Sequence, residues 1–157
     1  MRAGVATGCL SLLATLVLAA CGAPPPDTLG PSEDGLRPCP DAPNCVHTGD
    51  EHPPEVLPFH LTPEWRDRSP EAVWDAVESA VSSLPGTEVV VRTDDYLRAE
   101  STSRIFRFVD DLEVYRAPES PELVVRSESR VGRSDMGVNL QRVEGLREAL
   151  RERGVVD

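Results

Sequence analysis

The side chains best suited to chemistry lie in one stretch of the sequence, between positions 124 and 145. Arg, Ser, Asp and Asn residues are packed there between a predicted strand and a predicted helix. Gly132 and Gly137 permit unusual backbone angles, free N–H groups at a helix start favour an anion, and guanidinium groups offer paired donors. The stretch therefore predicts either a site for a small anion, where Arg130, Arg133 and Arg142 converge, or a polar corner that satisfies itself. The candidate residues here are Arg126, Ser129, Arg130, Arg133, Asp135, Asn139 and Arg142.

The self-satisfied corner is the interpretation that capping chemistry favours. Asp135 can fill the start of the last helix as an internal anion, with an Arg clamping it. Charges of both signs also alternate on the outward parity of neighbouring strands, which predicts a salt-bridged sheet face. These charged residues are Arg98, Glu100, Arg107, Asp111, Glu113, Arg126, Glu128 and Arg130.

Catalytic signals are weaker. Asp110 and Asp111, with Glu100, could form a carboxylate pair, but adjacent strand residues point to opposite faces. Ser127 and Ser129 could supply a nucleophile, yet the chain has no G-x-S-x-G elbow and no phosphate-binding glycine loop. The sequence therefore favours a non-catalytic binding or structural module with no cofactor. The alternative is a periplasmic enzyme that uses Asp110 and Asp111, or Ser127 and Ser129.

Asp110 is out of place in its predicted strand, because strict alternation puts it on the apolar side with Leu112 and Val114. Either a bulge shifts the register there, or the carboxylate is buried against a partner. We expect burial, with Arg126 or Arg130 of the neighbouring strand, or backbone donors, as the partner.

The elements that position these residues are two helices and four strands. The first helix has Ser69 as N-cap, Pro70 in its first turn and an apolar stripe, and the second starts near Asn139 and ends before Gly154. Short turns between the strands indicate an antiparallel meander. The predicted fold is an α+β two-layer domain over residues 39–155, with one four-stranded antiparallel sheet and both helices on one face. The predicted strands are Glu88–Thr93, Tyr96–Ser103, Ile105–Tyr115 and Glu122–Arg130.

The N-terminus is typical of an export signal over residues 1–20, with a short positive end and the apolar run "LSLLATLVLAA". Leu18 to Cys21 resembles a bacterial lipobox, which predicts lipidation of Cys21 and attachment to a membrane without crossing it. Ordinary secretion and a single-pass anchor are the alternatives. Gly22, in place of Asp, favours the periplasmic face of the outer membrane if the cell has one. Residues 21–38 are rich in Pro and Gly, which predicts a disordered tether.

Cys39 and Cys45 lie six residues apart in a proline-broken loop, which in an exported protein predicts a disulfide. The alternative is a zinc site that adds His47 and His52 to the two cysteines, although the spacing matches no standard pattern. The formal net charge of −11 argues against nucleic acid as a partner. A membrane, a small anion or another envelope protein remain as partners.

Four segments together resemble a known family. They are "CPDAPNCV" from Cys39, "YLRAE" from Tyr96, "FRFVDDLEV" from Phe106 and "RSESRVGRSDMGVN" from Arg126. The set is similar to the domain-of-unknown-function 1499 family, from about Cys39 to the last helix. The resemblance implies an α+β domain of bacterial and plastid proteins, often secreted or linked to membranes, without an established reaction.

Overall fold

The structure is a computed structural model that describes residues 23–49 and 56–157. The predicted signal, the lipobox with Cys21, and His52 lie outside the described residues. Within the described part of the chain, no helix has both the length and the hydropathy needed to cross a bilayer.

Six strands form one antiparallel sheet in the described residues, so the antiparallel meander is confirmed and the number of four strands is wrong. The strands are β1 (Cys45–His47), β2 (Phe59–His60), β3 (Thr87–Arg92), β4 (Tyr96–Thr102), β5 (Val109–Tyr115) and β6 (Glu122–Ser129). The order across the sheet is β1-β6-β5-β4-β3, and β2 pairs with another part of β6. The two additional strands, β1 and β2, were missed because they have three and two residues, too few to show an alternation, in a proline-rich segment.

Three helices accompany the sheet: α1 (Pro63–Arg66), α2 (Pro70–Ser82) and α3 (Val138–Glu152). The short α1 was not predicted. The Ser69 hydroxyl caps α2 by accepting a hydrogen bond from the Ala72 N–H, at 3.3 Å. The N-cap of α3 is Gly137, which has a left-handed backbone with φ of +81°, so Asn139 is not the cap. Helix α2 packs on β3 and α3, and α3 also packs on β6 and β1.

One hydrophobic core lies between the helices and one face of the sheet. Burial of each large aliphatic side chain stabilises the fold by about 1.5–3 kcal/mol, and the core draws on every layer. Phe59 and Leu61, from the proline-rich segment before α1, are fully buried within it. The predicted stripe of α2 is confirmed as core. The fully buried core residues of the helices and the central strands include Val73, Val77, Val81, Leu97, Leu112, Val125, Val143, Leu146 and Leu150.

Strand β5 begins four residues later than predicted, at Val109. The segment before it is a turn, in which the Ser103 N–H donates a hydrogen bond to the Phe108 carbonyl at 2.9 Å. Phe106 and Phe108, which lie in the predicted strand with the parity of Leu112 and Val114, are therefore 71% and 51% exposed. From Val109 to Tyr115 the pairing with β4 runs without a register shift, so β5 has no bulge at Asp110.

The described part of the predicted tether packs against the domain. The Gly30 N–H donates to Glu113 Oε1 at 2.7 Å, and Arg130 Nη1 donates to the Ala23 carbonyl at 2.8 Å. Gly35, at φ +102°, lies so close to the Tyr115 ring that an added Cβ would be 3.4 Å from it. Leu36 is buried. Residues 23–36 therefore cover the face of the sheet that is turned away from the helices.

Candidate functional site

The predicted site residues are divided between the two faces of the sheet. Strand pairing places Asp110 opposite Ser129, and Asp111 opposite Glu128. Because neighbouring strand residues point to opposite sides, Asp110 faces the helices and Asp111 faces residues 23–36. We call the first group the corner cluster and the second group the second-face network. The corner cluster is Asp110, Ser127, Ser129, Asn139 and Arg142; the second-face network is Arg98, Glu100, Asp111, Glu113, Arg126, Glu128 and Arg130.

Asp110 is buried and paired with an arginine, as predicted, but that arginine is Arg142 of α3. Arg142 Nη2 donates to Asp110 Oδ2 at 2.7 Å, and each side chain is 11% exposed. The predicted partners, Arg126 and Arg130, share the parity of Glu128 on β6 and so lie on the opposite face. The ion pair therefore joins the sheet to α3 rather than one strand to the next.

Asn139 lies at the centre of the corner cluster and is fully buried. Its Oδ1 accepts from the Ser127 hydroxyl at 2.7 Å and from Arg142 Nη1. Its Nδ2 donates to the Ser129 hydroxyl and to the Asn44 carbonyl, each at 2.9 Å. The amide thus uses both ends on partners that the fold supplies.

Asn44 is a member of this corner that sequence reasoning missed. Its Nδ2 donates to the carbonyls of Ser129 at 3.3 Å and Gly132 at 3.0 Å. The residue precedes β1 in the loop that the Cys39–Cys45 disulfide closes, with a Cα–Cα distance of 5.7 Å. The disulfide thus fixes the loop that carries Asn44, and its two sulfurs are no longer ligands for the alternative zinc site. No group of three metal-ligating residues occurs in the described ranges.

Asp135 occupies the anion position at the start of α3. Its carboxylate accepts from the Gly137 N–H at 3.0 Å and from the Asn139 N–H at 2.7 Å. This is the internal cap that the sequence predicted, although among the described residues no arginine clamps it. The proposed convergence of three arginines does not occur: Arg142 pairs with Asp110, Arg130 lies on the other face, and Arg133 is exposed.

Asp111 is the centre of the second-face network. Arg130 Nε donates to Asp111 Oδ2 at 2.7 Å and Nη2 to Oδ1 at 2.8 Å, while Nη2 also donates to Glu100 at 2.5 Å. Arg98 Nη1 donates to Asp111 Oδ1 at 3.0 Å. Hydrogen bonds from Arg130 to Asp111 raise the pKa of the Arg130 guanidinium, and Glu100 adds to this effect against desolvation. The Arg130 guanidinium therefore stays charged.

Glu113 is the second buried acid of this face. Arg126 Nη1 donates to Glu113 Oε2 at 2.9 Å, and both side chains are 2% exposed. The Tyr96 hydroxyl donates to Glu113 Oε1 at 2.8 Å. Burial, followed by the charge of Glu113 and the hydrogen bond to it, raises the pKa of Tyr96 well above its ordinary value. Arg126 Nη2 is bonded to Glu128, and the buried Arg126 Nε–H has no hydrogen-bond partner among the described residues.

The described residues line at least two open depressions of the surface. The larger, of about 1010 Å³, lies at the start of α2 beside the β3–β4 and β5–β6 turns, and it contains none of the predicted site residues. Its Arg92 is paired with Asp75 at 2.7 Å and with Glu78. The smaller, of about 320 Å³, reaches Arg142 between Leu84 and Val138. Of the corner cluster, Arg142 lines this depression, and its guanidinium is already paired with Asp110.

A family model with the description "Protein of unknown function (DUF1499)" matches residues 35–150. The chain belongs to this family. The matched range of the DUF1499 domain contains all six strands, the corner cluster and the second-face network, and it ends within α3. Residues 23–34, which cover the second face, precede it. A comparison with curated proteins found no match.

Proposed function

We propose that this DUF1499 protein is a lipid-anchored component of the cell envelope that acts as a binding or structural module without catalysis. Its anchor is Cys21, acylated within the sequence "LAAC" that resembles a lipobox. In a cell with two membranes, its place is the periplasmic face of the outer membrane. Its partners are the membrane and a protein or small anion of the envelope, and the acidic charge argues against nucleic acid.

One observation carries the non-catalytic part of the proposal: the polar side chains of the corner cluster form hydrogen bonds with one another. A catalytic site needs an accessible cleft in which reactive groups converge on free space. Ser127 is fully buried, and its hydroxyl meets an amide oxygen and a guanidinium, neither of which is a base that activates a nucleophile. The two aspartates lie on opposite faces, so they do not act together on one substrate.

A labelling experiment tests the anchor. Cells that express the full chain are grown with labelled palmitate, and we expect label in the protein and its loss in Cys21→Ser. The matched control is Cys9→Ser, which removes a cysteine of the signal and should leave the label unchanged. Label retained in Cys21→Ser, or absent from the unaltered chain, overturns the lipid anchor.

Purification tests the binding module. The native lipoprotein is isolated from membranes, and bound molecules are identified in parallel with the Asp110→Ala variant. We expect co-purifying envelope components with the unaltered chain. Turnover of a substrate that is lost in Ser127→Ala or Asp111→Asn, in a variant that remains folded, would instead favour the periplasmic enzyme.

A further inference from the structure

Two loops leave the sheet at the same end. Residues 103–108 join β4 to β5, and residues 130–137 join β6 to α3. β5 and β6 are neighbours, and Asp110 lies opposite Ser129. The Arg130 N–H donates a hydrogen bond to the Val109 carbonyl at 3.4 Å. The two loops therefore emerge side by side.

These loops are unusually apolar for exposed segments. Met136 is 90% exposed and Ile105 is 82% exposed, and the Phe106 and Phe108 rings stack on each other at 5.7 Å. Of nine large exposed hydrophobic side chains in the described residues, five lie here. Exposed apolar groups concentrated in one place mark a contact with a partner or a membrane. We call this set the apolar end: Ile105, Phe106, Phe108, Val131 and Met136.

Arginines are interleaved with these apolar side chains. Arg104, Arg107 and Arg133 are exposed, and none forms an ion pair with a described residue. The acid in the two loops, Asp135, is committed to the cap of α3. The rest of the molecule is strongly acidic, but charges farther away than the Debye length of about 8 Å are screened at physiological salt. This end therefore presents local positive charge to whatever it meets.

The backbone holds two of these side chains in an uncommon conformation. Arg107 and Met136 have φ of +57° and +55°, and they are two of the three residues other than glycine with positive φ in the described ranges. Left-handed conformations of such residues are retained where the surroundings enforce them, and they concentrate at functional segments. Here both occur in the loops of the apolar end.

Ala23, the first described residue, lies at the same end of the domain. Arg130, whose Nη1 donates to the Ala23 carbonyl at 2.8 Å, directly precedes Val131. Cys21 is two residues before Ala23, so chain geometry keeps its Cα within about 7 Å of the Ala23 Cα. Lipid attached to Cys21 therefore enters the bilayer beside the two loops, without a long tether between them.

We infer that the apolar end is a membrane-docking surface that inserts Ile105, Phe106 and Phe108 into the interface of an anionic phospholipid bilayer, while Arg104, Arg107 and Arg133 bind its phosphates. The inference rests on the proposed lipid anchor for its orientation. Apolar and aromatic side chains flanked by arginine are the composition that an anionic membrane interface recognises. The occupant is the bilayer that carries the anchor, and the apolar end keeps the domain in contact with the surface of that bilayer.

Sedimentation with vesicles tests docking independently of lipidation. The chain from Gly22 onward retains every described residue and lacks the anchor. We expect it to bind vesicles of phosphatidylglycerol and phosphatidylcholine more tightly than vesicles of phosphatidylcholine alone. Phe106→Ser/Phe108→Ser should weaken binding at least about tenfold through lost apolar burial, and Arg104→Ser/Arg107→Ser about tenfold or more through lost charge.

Leu57→Ser is the matched control, because Leu57 is 68% exposed and precedes β2, which pairs with β6 at Leu123, far along the strand from its end at Ser129. It should leave vesicle binding unchanged. Binding that is absent, or unaffected by the loop variants, overturns the inference. Self-association of the chain that the Phe106→Ser/Phe108→Ser variant abolishes also overturns it, because a second copy would then cover the apolar end.

Depth measurements on the lipoprotein itself complete the test. With Cys21 acylated and Cys39 bonded to Cys45, a spin label at Phe106→Cys or Leu57→Cys reports one position. We expect the label at 106 to lie at acyl-chain depth and the label at 57 to stay in water. If palmitate labels the protein but both spin labels stay in water, the anchor stands and docking fails; vesicle binding without palmitate gives the reverse.

Discussion

Asp110 and Asp111 are chemically identical neighbours that the fold uses in different ways. Asp110 meets one guanidinium, from α3, on the helix side of the sheet. Asp111 meets two, from β4 and from the residue after β6, on the other side. A buried carboxylate that lost its partner would carry an uncompensated charge, which is far more costly than the loss of an exposed pair. Their pairing explains why so many polar groups occur at this corner.

Asp110→Ala should lower the free energy of unfolding by about 3–5 kcal/mol, because it leaves the buried charge of the Arg142 guanidinium without its acidic partner. Urea denaturation of the chain from Gly22 onward measures the change. Asp75→Ala is the matched control, since Asp75 is also 2.7 Å from an arginine but 64% exposed, and its effect should stay within about 1 kcal/mol. An Asp110→Ala variant as stable as the unaltered chain, but deficient in binding a partner, would make the corner a ligand site.

Tyr96 predicts a loss of stability at alkaline pH. Burial and Glu113 raise its pKa in the folded chain above the ordinary value of 10.0. The unfolded chain therefore releases the proton first, and stability that is complete below about pH 10 falls as the pH rises further. Tyr96→Phe removes the ionisable group, so its free energy of unfolding should fall less steeply above pH 10.

Denaturation at pH 8 and at pH 11 measures this difference in slope. Tyr115→Phe is the control, because Tyr115 is the strand partner of Tyr96 and, among the described residues, its hydroxyl forms no hydrogen bond to Glu113. Equal slopes for Tyr96→Phe and the unaltered chain would contradict the role of the Tyr96 hydroxyl.

At the scale of elements, periodicity located the long segments and failed at the short ones. Helix α2 carries its own cap and apolar stripe, so local sequence determines it. Strand β2 has two residues and exists because β6 offers it an edge to pair with, which no local pattern reveals. The start of β5 was missed because Phe106 and Phe108 continue its alternation into a turn.

The candidate site was located from the sequence, but the pairing of its side chains was not. The polar stretch, the cap by Asp135 and the burial of Asp110 follow from residue types and parity. The partner of Asp110 depends on how α3 lies across the sheet, so a prediction limited to neighbouring strands chose arginines on the wrong face. Asn44 was missed because its contacts are separated from it by more than 80 residues of sequence.

At the scale of the whole molecule, charge and apolar surface are unevenly distributed. The chain has a net charge of −11, yet the exposed apolar side chains of two loops carry arginines among them. On the second face, by contrast, charges of both signs are paired with one another, because three arginines and four acids form the second-face network. That face is satisfied in part by residues 23–36, which makes the N-terminal segment a part of the fold and places the start of the domain at the apolar end.

Deletion of this segment gives the last prediction. A chain that starts at Leu36 lacks the hydrogen bond from the Gly30 N–H to Glu113 and the hydrogen bond from Arg130 to the Ala23 carbonyl. It also exposes the buried charges of Glu113 and Arg130 to water. Hydrogen bonds to charged groups contribute about 1.5–3 kcal/mol each, so we expect the deletion to lower the free energy of unfolding by an amount of this order. Urea denaturation against the chain from Gly22 onward measures it.

Gly30→Pro in the longer chain removes the N–H that Glu113 accepts and, because proline fixes φ near −65°, also the left-handed backbone at this position, so it should lower stability more than Gly30→Ala. Gly30→Ala is its matched control, since it keeps the N–H and meets only the strain of φ +96° in open space. A deletion without effect on stability would make residues 23–36 a loose tether, and the lipid anchor would then leave the orientation of the domain on the membrane free. A loss of stability would show that residues 23–36 are part of the fold, which keeps Ala23 at Arg130 and so holds the start of the described chain beside the loops of the apolar end.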